Sequence, residues 1–378
     1  MRNKFIYKLF TVFILIVVPM NVGKSNESFI FDIKEIEILE NGNKFLGKNG
    51  GTAKSKNGII INAENFEYNK IENKLYAFNN VKITDQIKNI IIFTDKITYL
   101  KNEEIIFTEN NSKALYKNIL LTANNFKYNK FSNILDAQGT VKIEDNENNY
   151  YISSEIVTYY LKENRITTTG ETNANIESKY TFYSSDLTIL RNENKLSSSN
   201  FTRLVDTNTT QYEFDEFIYF FENEFLKAKN ILVKYDKNVP DGQTDNASFL
   251  DGFFDLKNKT FKASNTKVNI KKNSFDNSEN DPRIIGVSSE SENGITSINK
   301  AIFTSCKIRE DKCPPWSIRA KKITHDKKKK QLIYDQAFLQ IYDKPVMYFP
   351  KFFHPDPSVD RQSGFLRPQL NNSDILGT

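Results

Sequence analysis

From about residue 26 onward, apolar and polar residues alternate in short runs. Phe66-Glu67-Tyr68 puts Phe66 and Tyr68 on one side of an extended strand. Asn69-Lys70 and Asn73 then mark a turn, because asparagine tolerates left-handed dihedrals and bonds its own backbone. Leu75-Tyr76-Ala77 begins a return strand, and Val81-Lys82-Ile83-Thr84 alternates again. Beyond the N-terminal segment no stretch carries a sustained helical stripe. Proline is absent from 26–239, so these strands are free to donate in ladders. The pattern predicts an all-β chain.

The alternation repeats. Residues 63–85, AENFEYNKIENKLYAFNNVKITD, return 60 positions later as ANNFKYNKFSNILDAQGTVKIED in 123–145. With Phe66, Tyr68 and Leu75 as anchors, the same offsets select Ile97, Tyr99 and Ile106, then Phe126, Tyr128 and Leu135, then Val157, Tyr159 and Ile166. They continue through Leu187, Ile189 and Leu196 to Phe217, Tyr219 and Leu226. Successive anchors lie 31, 29, 31, 30 and 30 residues apart. Two readings of these anchors stand side by side. In one they form an all-β core, as buried aromatics usually do. In the other, stacked strands enclose an elongated apolar slot, and an open seam turns the row into a ligand groove.

The repeat loosens after about residue 236. Pro240-Asp241-Gly242 and a Ser/Asn/Glu-rich run over 273–293 predict a loop-rich insertion over 236–300, with an exposed loop at 273–293, although 247–263, with Phe253-Phe254 and Phe261, still reads as strand. Asparagine, frequent before, is absent from 301–350.

Composition and charge add limits. The 30 Phe and 18 Tyr fit a strand-rich chain, while 2 Cys and 2 His exclude a disulfide-dense scaffold and disfavour a histidine-rich metal site. Residues 1–25 join a basic start to an apolar run from Leu9 to Met20 and small residues at Gly23 and Ser25. This describes a secretory signal peptide, and the run is too short for a membrane-spanning anchor. The segment holds Arg2, Lys4, Lys8 and Lys24 without an acid, so removing it lowers the net charge from +5 to +1. A nucleic-acid partner is therefore not expected. No Ser/His/Asp, Cys/His or paired-carboxylate arrangement stands out, so no catalytic residue and no cofactor is assigned. No row of carboxylates at fixed repeat positions is expected either.

The C-terminal section is the most specific. It contains Ser305-Cys306 followed by Pro314-Pro315-Trp316, then Pro345-x-x-Tyr348-x-Pro350, then Arg361-x-Ser363-Gly364-Phe365-Leu366 with Pro368. In order and spacing this resembles the lipopolysaccharide-assembly (organic-solvent-tolerance) family of the Gram-negative outer membrane. The repeats resemble, more loosely, the β-jellyroll shared with the soluble periplasmic bridge proteins of that pathway. The resemblance implies a periplasmic jellyroll over 26–342, a connector over 343–362 and the start of a transmembrane barrel, cut short, over 363–378.

It further implies that lipopolysaccharide acyl chains run in the apolar slot, lined by Phe66, Tyr68, Leu75, Ile97, Tyr99, Phe126, Tyr128, Leu135, Val157, Tyr159, Leu187, Ile189, Phe217 and Tyr219. Implied partners are a periplasmic bridge protein docking on the edge Phe29–Leu39, a plug lipoprotein of the barrel, and the outer membrane itself. Pro345, Pro350 and Gly364 fall in the connector and barrel start, and Pro368 would loosen the barrel seam. The family joins its two domains by disulfides. Here Cys306 matches the motif and Cys313 is additional, so a local bridge and pairing with barrel cysteines both stay open. Zinc is the poorest alternative, with His325 and His354 lacking partner spacing. Other readings are a soluble lipopolysaccharide bridge or a secreted carbohydrate-binding β-solenoid.

Overall fold

The computed structural model describes residues 28–235, 244–272, 279–308 and 314–355. The protein is all-β. Among these residues 27 strands join one antiparallel sheet, with short 3₁₀ turns at Glu40–Gly42 and Arg191–Glu193. The sheet is a meander in which each pass hydrogen-bonds the pass before it and the pass after it.

Each pass is bent in its middle. Some passes are a single strand with a break in register, as between Phe78 and Val81, Gln138 and Val141, or Ser154 and Ile156. Others are two halves divided by one residue, such as Ile59–Ala63 and Asn65–Asn69, or Ile119–Ala123 and Asn125–Asn129. The extra residue has a purpose that follows from the period of two along a strand. In Ile59–Asn69 the buried positions run 59, 61, 63 and then 66, 68. Parity switches at Glu64, so both halves present their apolar side chains to the same interior. Ile90–Leu100 switches at Asp95 and Tyr150–Tyr160 at Glu155 in the same way.

The other passes make the bend with left-handed residues: Asn79 and Asn80, Asn110 and Asn111, Gly139 and Thr140, Gly170, and Asn230. Bent at the middle of every pass, the sheet doubles over lengthwise into two arms that meet at a corner and cover each other's inner face. The asparagine excess of the sequence has its physical cause here, since asparagine reaches the left-handed region more easily than other residues with a side chain.

The turns at the tips are stitched into columns. On one arm Lys70 N–H donates to Asn43 O, Lys101 to Asn73, Lys130 to Glu104, Leu161 to Asn133, Arg191 to Asn164, and Phe221 to Asn194. From Asn73 onward the accepting residues sit in the left-handed region. Asn69 Oδ1 accepts from the N–H groups of Ile71 and Glu72, which fixes the first such turn as the sequence suggests.

Several expectations change. Within 236–300 the described residues contribute the strands Asn246–Asp255 and Thr260–Asn269, where 247–263 reads as strand, and also Arg283–Glu292 and Ile295–Thr304, so 283–292 is not loop. In Arg283–Glu292 the alternation is unusual: Glu290 and Glu292 face outward with Ile285 and Val287, whereas Ser289 turns inward and pairs with the Thr266 hydroxyl. Pro345 and Pro350, placed in the connector by the resemblance, are strand residues. They belong to the last described strand, Lys344–Pro355, which pairs on one side with Gln331–Ile341. Among the described residues its other side pairs with no strand, and a side without a ladder accepts proline because it needs no donor. Two apolar clusters, Phe29 to Ala263 and Ile284 to Ala337, share Val268 at their junction.

Asn194 sits in the left-handed region with φ 49° and closes a turn. Asn194→Ala is expected to lose about 1 kcal/mol in urea unfolding, whereas Asn194→Gly stays close to the parent.

Candidate functional site

The interior between the arms contains every described residue expected to line the slot. Cross-strand pairing links Tyr68, Leu75, Tyr99, Ile106, Tyr128, Leu135, Tyr159, Ile166, Ile189, Leu196, Tyr219 and Leu226 into one unbroken row. Phe66, Ile97, Phe126, Val157, Leu187 and Phe217 line the same arm nearer the corner. The predicted lining residues are 0–5% exposed. They fill the interior with their own side chains, and a ligand could reach them only if the arms part.

The facing arm carries a second row that the anchors did not include: Ile61, Ile83, Ile92, Ala114, Leu121, Ile143, Ile152, Ala174, Phe182 and Leu204. A sequence signal for it exists. Ile61, Ile92, Leu121, Ile152 and Phe182 follow one another by 31, 29, 31 and 30 residues, the cadence of the first row. At the N-terminal end a shallow apolar dimple of only about 10 Å³ lies between Phe31, Ile33, Ile36, Phe45, Phe66 and Tyr68. The first strand, Phe29–Leu39, borders this dimple. It pairs on one side with Lys44–Ser55 and turns Ile30, Ile36 and Ile38 outward.

Opposite the corner, the tips of the two arms meet along a seam. Among the described residues no ladder crosses it, and side chains close it instead. Asp85 receives the Tyr128 hydroxyl at 2.8 Å and Lys130 Nζ at 3.1 Å. Asp145 receives Arg191 Nε at 2.8 Å. Glu224 receives Lys179 Nζ at 2.7 Å and the Tyr180 hydroxyl at 2.7 Å. The Tyr116 hydroxyl reaches Leu161 O at 3.4 Å. The partners lie 43 to 46 residues apart, one and a half repeats, so the seam is staggered as strands are in a barrel.

Asp85 and Asp145 are the residues that end the two copies 63–85 and 123–145, and each also caps its own turn by accepting from backbone N–H groups. Burial works against the Asp145 carboxylate, but hydrogen bonds from Arg191 and Asn148 outweigh it and hold the carboxyl below the usual aspartate range. Burial likewise opposes Glu224, and Lys179 and Tyr180 hold it low. Burial pushes the Tyr159 phenol up to about 12.

A row of carboxylates does occur at repeat positions, contrary to expectation. Glu64, Asp95, Glu155, Asp186 and Asp215 run along the corner. They accept from the left-handed residues of the neighbouring passes: Asn80, Asn111, Thr140 N–H, Gly170 N–H and Asn230. Their work is to brace the bend. Antiparallel pairing throughout also departs from the parallel coils of a β-solenoid.

In the C-terminal part, Cys306 is half-buried, with Sγ 3.7 Å from Trp316 O. Cys313, Gly364 and Pro368 lie outside the described residues, as do 1–25 and 363–378, where a signal peptide and a barrel start are expected. His354 is buried: its Nε2 lies 2.8 Å from the Tyr334 hydroxyl and its Nδ1 2.8 Å from Pro355 O. Donation from Nδ1 to that carbonyl leaves Nε2 to accept the hydroxyl proton. Among the described residues no three His, Cys, Asp or Glu side chains converge as metal ligands. No protein-family model matches the chain, and no curated protein matches its sequence.

Arg191→Met strands a buried carboxylate and is expected to cost about 3–5 kcal/mol in urea unfolding. Lys229→Met, from the exposed pair with Glu216, is expected to stay within about 1 kcal/mol. Because the Asp145 and Glu224 carboxyls titrate lower in the folded chain, their contribution is complete above about pH 5 and is lost as pH falls through their folded values. Asp145→Asn should therefore lose stability at neutral pH and show a shallower acid dependence.

Proposed function

We propose that this chain is a periplasmic conduit for lipopolysaccharide, taking the acyl chains between its arms and passing them toward an outer-membrane barrel. The observation that carries the proposal is the interior. Two facing rows of Ile, Leu, Phe and Tyr run without interruption along the sheet, and only side chains close their long side. Acyl chains suit such a surface, since each buried CH₂ contributes about 0.8 kcal/mol and needs no directional partner. An elongated slot also allows a ligand to move along it, because successive positions offer the same chemistry. The C-terminal motifs around Cys306, Trp316 and Pro350 support the connection to outer-membrane assembly and favour it over a stand-alone bridge. In this reading the protein orients and transfers and performs no covalent step.

Photocrosslinking tests the proposal. A benzophenone amino acid placed singly at Phe45, Tyr68 or Tyr116, near the dimple and the seam, should give adducts with purified lipopolysaccharide. The same group at Phe93 or Tyr151, on the outer face, should give none. Equal labelling from both faces, or no adduct from any inner position, would exclude the conduit.

A further inference from the structure

We infer that the cation–carboxylate pairs Asp85–Lys130, Asp145–Arg191 and Glu224–Lys179 are serial latches, each holding a local stretch of the seam shut and parting independently to expose the interior beside it. The inference deepens the conduit proposal, which supplies the reason for access; the latches themselves are argued from geometry alone.

Three observations carry it. First, the arms are joined very differently at their two sides. Along the corner they are covalently continuous, but the ladders are interrupted there at Phe78/Val81, Gln138/Val141 and Ser154/Ile156. That interruption gives a line about which one arm can swing without breaking its own strand pairs. At the seam only side chains hold, and the strongest contacts are these charge-assisted hydrogen bonds.

Second, the pairs are spaced along the seam, and no side chain belongs to two of them. Asp85 and Lys130 are 0% and 11% exposed, and Asp145 and Arg191 0% and 4%; Glu224 is 10% exposed, but its partner Lys179 is 48% exposed and also pairs with Glu177, so the third latch is the wettest. Buried pairs return little net stability against apolar packing, since desolvation consumes most of the Coulombic gain. A closure made this way is therefore specific in position without being deep in energy.

Third, the closed seam carries a cost beside its middle latch. The Tyr150 hydroxyl is buried beside Asp145 and Arg191 and makes no well-formed hydrogen bond, because Arg191 and Asn148 already occupy the Asp145 carboxylate. Parting the arms there would relieve it.

Thiol labelling reads the latches without any lipid. In the full chain with Cys306→Ser and Cys313→Ser, a single cysteine is placed at Leu135, whose cross-strand partner Tyr128 touches Asp85, or at Leu226, whose partner Tyr219 packs on Tyr180. Asp85→Asn should raise maleimide labelling at position 135 by about tenfold, the loss of one charge-assisted hydrogen bond, and leave 226 unchanged. Lys130→Met should repeat that pattern from the other side of the pair, and Glu224→Gln should reverse it. Labelling that rises equally at both positions means loosening of the whole fold and overturns independent latches, as does labelling that rises at neither. Local opening without lipid crosslinks would retain the latches and remove the lipid; crosslinks without local opening would do the converse.

Discussion

A single β-sheet has two faces, and water wets both unless something covers one. This chain covers its inner face with the same sheet, by bending every pass in the middle. All else depends on that bend. It requires a parity switch so that both halves of a pass turn apolar residues inward, and it requires left-handed residues where the backbone turns the corner. Asn80, Asn111 and Asn230 supply the backbone, and Glu64, Asp95 and Asp215 on the neighbouring passes accept their side-chain amides. Thus one pass braces the next, and the corner propagates along the chain with the repeat.

Doubling over leaves a second problem at the opposite side, where the arm tips approach with no strand to pair them. The chain meets it with tyrosine hydroxyls, lysines and an arginine reaching across to Asp85, Asp145 and Glu224. Such contacts fix which tips meet but exert far less hold than a ladder. A strong corner and a weak seam together make a container that can be opened along its length. This asymmetry connects the packing to the proposed transport of acyl chains.

Much of the fold was legible in the sequence because a strand exposes its period directly. The 30-residue cadence located one inner row, from Phe66 to Leu226, and Asn69 and Asn73 marked their turn by their own chemistry. The second row, through Ile61, Ile92 and Leu121, had the same cadence but lay at offsets that the anchors did not sample. The seam was not legible. Asp85 and Asp145 visibly recur, but their cations sit one and a half repeats away, a distance set by the stagger of the doubled sheet and absent from any local pattern. The strands at Arg283–Glu292 and Lys344–Pro355 were masked for opposite reasons. In the first, a run of serine and glutamate hid a strand whose inner face carries Ser289; in the second, Pro345 and Pro350 resembled a linker.

Transport through this interior requires the arms to separate when lipid is present. The most direct measurement is the distance between spin labels at Asn118 and Lys162, on opposing tips beside the Tyr116–Leu161 contact. A conduit predicts that purified lipopolysaccharide adds a longer population to the distance distribution of the full chain, and that excess lipid increases its share. A distribution unchanged by lipid, at concentrations that saturate any binding, would contradict it.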